Sequence, residues 1–138
     1  MHTTLTVARM VARVLGAVLI ILGLAFWTSN ALALVPVHML LGLVLVLALW
    51  TIAGLGVRTG EQPGLVILAT AWGFIVPLLG LSQDQLLPGP AHWLIKLLHL
   101  LVGLSAIGLA ELLARRGLAR MPGGRPRRAT QPAWGEER

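Results

Sequence analysis

Apolar residues in this chain run on in four long blocks, separated by short polar breaks. The blocks cover about residues 8–29, 35–57, 64–82 and 91–114. A helix needs roughly 20 mostly apolar residues to cross about 30 Å of hydrocarbon, and a backbone in lipid must satisfy its own hydrogen bonds. The pattern therefore predicts four transmembrane helices. The breaks carry terminators: Thr28-Ser29-Asn30 ahead of Pro36, then Arg58 to Gly64 with Gly60 and Pro63, then Ser82 to Gln85 followed by Pro88-Gly89-Pro90. Short breaks make successive helices antiparallel neighbours. The expected fold class is all-α, an up-down-up-down transmembrane bundle over residues 1–116, with a basic, disordered tail over 117–138.

Composition supports this reading. Of 138 residues, 57% are hydrophobic and 12% charged, too few charges to cover a soluble domain of this size. The chain has no cysteine and no tyrosine, which excludes disulfides, thiolate metal sites and tyrosine chemistry. The net charge of +6 is not the footprint of a nucleic-acid binder, because seven of the eleven Lys and Arg residues lie at or beyond Arg115. Such a cluster suits anionic lipid headgroups. Arg9, Arg13, Arg58 and the Arg115–Arg128 cluster fall on one side of the bundle, and loops 30–34 and 83–90 carry no Lys or Arg. The positive-inside rule then expects both termini in the cytoplasm, in a membrane of the bacterial inner-membrane type. Trp27 and Trp93 fall at the opposite boundary, where indoles prefer to lie. The alternative for the first block is a secretory signal, with Arg9 and Arg13 as its charged start and Ala31-Leu32-Ala33 as a cleavage-like site.

The residues able to carry chemistry are the rare polar ones within the apolar blocks, since burying them is costly. They are His38 in the second block, His92, Lys96 and His99 in the fourth, and Glu111 near its end, four residues before Arg115 as a pairing partner. His38 opens His-Met-Leu-Leu-Gly-Leu, and His99 opens His-Leu-Leu-Val-Gly-Leu. Each motif puts a glycine, Gly42 or Gly103, one turn from its histidine on the same face. The first and third blocks share another pattern, Gly16 with Gly23 and Gly73 with Gly80, each pair seven apart. The chain reads as a doubled two-helix unit. These glycines either let helices pack closely or leave room for a flat ring between them.

This arrangement resembles the haem-bearing four-helix core of membrane b-type cytochromes of the cytochrome b and b561 kind, over about residues 8–114. The resemblance implies that His38 and His99 are axial ligands of one haem b iron, with His92 as the rival second ligand. It implies that Gly23 and Gly80 lie against the ring. Gly42 and Gly103 are expected to leave further space around it. The family pattern has two histidines on each ligand-bearing helix and two stacked haems, whereas the second block here offers only His38. One bis-histidine haem is therefore the most the chain can hold.

His92, Lys96, His99 and Gly103 share one helical stripe. Lys96 and His92 can meet haem propionates there, or Lys96 can snorkel to the headgroups. The expected function is one-electron transfer with a redox partner or within a larger respiratory or photosynthetic assembly, with a homo-oligomer also open. The alternatives are a cofactor-free accessory subunit, or a small transporter or channel. The transporter reading lacks the mid-membrane carboxylate that proton-coupled exchange needs, because Asp84 is in a loop and Glu111 near the block's end. No phosphate-binding glycine loop, His-Glu-x-x-His or nucleophile elbow occurs, and no enzyme activity is expected.

Overall fold

The computed structural model describes residues 1–28 and 31–121. These form four long helices, α1 (His2–Trp27), α2 (Val35–Arg58), α3 (Pro63–Ser82) and α4 (His92–Arg120). Short 3₁₀ turns over Leu32–Leu34 and Gln83–Gln85 join α1 to α2 and α3 to α4. All four helices are long and apolar enough to span a membrane, and the described residues contain no strand. The chain is an integral membrane four-helix bundle.

Two boundaries differ from the sequence expectation. The first helix begins at His2, six residues earlier than the apolar block, because Leu5 and Ala8 are buried and hold that turn in the bundle. The fourth continues to Arg120, past the expected end at Ala114, because Gly117 packs against Leu5 and Thr59. Residues 117–120, expected to begin the tail, are therefore part of α4; residues 122–138 lie outside the described residues.

Each helix packs on its sequence neighbours. In addition α1 packs on α4, and α2 meets α4 across the short diagonal. Small residues make the close approaches possible. Ala8, Ala12 and Gly16 on α1, and Ala106, Ala110 and Ala114 on α4, recur every four residues and are buried. Without lipid-versus-helix hydrophobic driving force, such small faces allow the backbone approach that stabilises membrane bundles. At Gly16 a Cβ would stand 2.7 Å from Ile107 Cδ1.

The core is one-sided along the bundle axis. Among the described residues, none between 20 and 44 is buried, and between 74 and 105 only Ile95 is. Leu45, Leu49, Ile52, Leu113 and their neighbours fill the other half. The tightly packed half is the one that carries the arginines, and the loosely packed half carries His38 and His99.

The α2–α3 turn is a Schellman motif. Glu61 N–H donates to Gly56 O at 2.9 Å and Gly60 N–H to Val57 O at 3.2 Å, with Gly60 at φ +71°. That positive φ is why glycine stands there. Pro63 then opens α3, where its missing N–H costs nothing. The tight reversal folds Glu61 back beneath the end of α4.

Candidate functional site

His38 stands one turn into α2, and His99 two turns into α4. Antiparallel connection by short loops brings these two turns to the same end of the bundle, and the short α2–α4 diagonal brings the rings together. Their centroids are 6.3 Å apart with planes inclined at 48°. Phe26, near the end of α1, meets His38 edge-on at 5.3 Å. Gly80 on α3 faces the other ring, where a Cβ would lie 3.2 Å from His99 Cε1. All four helices thus contribute to the environment of one histidine pair.

The Nδ1 atoms of His38 and His99 are both buried, and neither has a hydrogen-bond partner among the described residues. A buried polar atom left so costs about 1–3 kcal/mol. Other polar side chains in the helices find partners nearby: Thr51, Thr70, Ser82 and Ser105 each donate to the carbonyl four residues back. Among the described residues, the Nδ1 atoms of the histidine pair are the buried side-chain polar atoms left without one.

The remaining expected site residues are distributed less uniformly. Gly80 touches His99, whereas Gly23, Gly42 and Gly103 have no atom within 4 Å of where a Cβ would stand, so they border open space. His92 does not join the pair; its Nδ1 lies 3.3 Å from Leu86 O in the preceding loop. Lys96 shares the α4 stripe with His99 but is exposed. Among the described residues, no group of three or more His, Asp or Glu could hold a metal ion, so any metal here would rest on two imidazoles and a cofactor's own donors.

Trp50 and Trp72 bind neighbouring helices rather than line the histidine site. Trp50 Nε1–H donates to Thr70 O across α2 and α3, and Trp72 Nε1–H to Val102 O across α3 and α4, both at 3.1 Å. The Trp50 indole covers Gly73, so closely that a Cβ there would collide with it.

A second set of polar contacts, at the opposite end, is denser than the sequence suggested. Glu111 does pair with Arg115, and it also accepts from Arg9 and Arg13 on α1. The Arg9 contact is 2.5 Å and the Arg13 contact 2.7 Å. Glu61, read from sequence as part of a polar turn, has a side chain with 0% exposure. It meets Arg120 at 2.5 Å and Arg116 at 3.5 Å. Burial alone would raise the Glu61 carboxyl; the Gln62 N–H and the two guanidiniums outweigh it and hold the group below its ordinary value. The i, i+4 spacing of Arg9 and Arg13 was the available signal for the first cluster. Nothing local marks the second, since Glu61 and Arg116 are 55 residues apart.

No protein-family model, curated protein or solved structure matches the chain.

Proposed function

We propose that the chain is a membrane-embedded b-type cytochrome, holding one haem between His38 and His99 in the loosely packed half of the bundle. The observation that carries this reading is the buried histidine pair itself, two imidazoles on opposed helices with unsatisfied Nδ1 atoms. Metal–nitrogen bonds of about 2 Å, plus about 1 Å from each nitrogen to its ring centre, put two ligating imidazoles about 6 Å apart, close to the 6.3 Å found. Open space beside Gly23, Gly42 and Gly103 suits a flat ring, and Gly80 lets His99 approach α3.

Bound haem would supply a reversible one-electron couple between ferric and ferrous iron. The chain's own residues would hold and shield it. His38 and His99 would hold the iron between them. Phe26 would fix the His38 ring plane, and the apolar α-helical wall would lower the local dielectric. Lys96 and His92 would stand at the rim, where they can reach carboxylate groups of the cofactor. The basic end faces the cytoplasm, so the site lies in the outer leaflet and exchanges electrons with a partner there.

The direct test is the visible spectrum of the purified full-length protein, produced with ample haem supply, oxidised and then reduced with dithionite. A Soret band with sharp reduced α and β bands is expected. A colourless protein would remove the haem reading and leave an accessory-subunit role, pursued through co-purifying chains.

A further inference from the structure

We infer that Arg9, Arg13 and Arg115 form a binding site for the phosphate of an anionic lipid headgroup at the α1–α4 seam. Three guanidiniums converge on the single Glu111 carboxylate, leaving a surplus of two positive charges. The carboxylate offers about four lone-pair positions, and six contacts from five guanidinium nitrogens already compete for them. Arg13 and Arg115 are 47% and 66% exposed, so their remaining N–H groups point away from Glu111 into the surroundings.

The other acids cannot neutralise this surplus. Among the described residues they are Glu61, enclosed by Arg116 and Arg120, and Asp84 at the opposite end. Residues 122–138 bring four arginines and two glutamates, a further net positive charge. The depth is right for a headgroup. Counting from Trp27 at 1.5 Å per residue, Arg9 lies about 27 Å and Arg13 about 21 Å along α1. Counting from Trp93, Arg115 lies about 33 Å along α4, so the cluster straddles the hydrocarbon boundary of a ~30 Å core. Planar guanidinium forks match a phosphate's paired oxygens better than any other common anion at that level. Glu111 is the internal counter-charge that draws the three forks together against their mutual repulsion.

The experiment uses the full-length protein in neutral detergent. Phosphatidylglycerol, phosphatidylcholine or inorganic phosphate is added, and retained lipid is counted by native mass spectrometry alongside the thermal midpoint. The expected result is selective retention of phosphatidylglycerol over phosphatidylcholine, weakened roughly 10- to 30-fold in R13Q/R115Q at about tenfold or less per arginine. R58Q, at the same end but outside the cluster, should retain it unchanged. Should the double variant fail to give a helical spectrum, R13Q alone is read in its place, since it leaves the Arg9 and Arg115 contacts to Glu111. Equal retention of both lipids, or unchanged retention in the arginine variants, would overturn the site. Stabilisation by inorganic phosphate matching that by phosphatidylglycerol would assign the cluster to a free phosphate anion and end the lipid assignment.

Discussion

At the scale of single residues, the decisive groups are the few polar side chains that an apolar chain keeps inside. Glu61 is the clearest case, because its full burial is sustained only by Gln62 N–H, Arg120 and Arg116. Its folded value lies below the ordinary carboxylate value. An acid so depressed adds stability that is present above its unfolded value and lost as pH falls through its folded value. The thermal midpoint of the wild type should therefore drop as pH is lowered below about 4, and E61Q should show a smaller drop. An E61Q profile that parallels the wild type would rule out this linkage. Glu111 is one-fifth exposed, and E111A leaves three guanidiniums without their anion. A loss of about 1–3 kcal/mol is expected in urea or thermal unfolding, less than for a fully buried pair because water screens part of the repulsion. His38, His99 and Glu111 could be picked out in the sequence because each interrupts an apolar run. Glu61 could not, since it sits among Arg58, Thr59 and Gln62 in what reads as a solvated loop, and its burial depends on a helix 55 residues away.

At the scale of elements, glycine and alanine decide where helices touch, and tryptophan secures the contact. The helices themselves were legible because lipid permits little else over runs of this length. Their ends were less so, because α1 and α4 extend beyond their apolar blocks through contacts of Leu5 with Gly117 that no local pattern encodes. The repeated glycines also proved unequal. Gly73 and Gly16 serve packing, Gly80 meets His99, and Gly23, Gly42 and Gly103 border open space. G73A forces the Trp50 indole from its place and its bond to Thr70 O, at a cost of about 1–3 kcal/mol, measurable as a lowered thermal midpoint. G23A meets nothing within 4 Å and should leave the midpoint unchanged or slightly raised. If both variants unfold alike, the glycine assignments fail. W72F, which removes one interhelical bond to Val102 O, should cost about 0.6 kcal/mol, and no more than about 1.7.

At the scale of the whole molecule, the bundle divides along its axis. The arginine-bearing half is closed by small residues and by two ion clusters, and the other half is loosely packed around two histidines. Sequence alone marked His38 and His99 as candidates and kept His92 as a rival. The tertiary arrangement places His99, the one favoured by its glycine motif, beside His38 and turns His92 to Leu86 O. The central claim is that this pair holds a haem. It is tested most directly by the reduced-minus-oxidised spectra of H38A, H99A and H92A beside the wild type, each verified as helical and purified with excess haem. The expected result is loss of the α band in H38A and H99A and its retention in H92A. Equal absorbance in all four proteins, or loss in H92A alone, would contradict it.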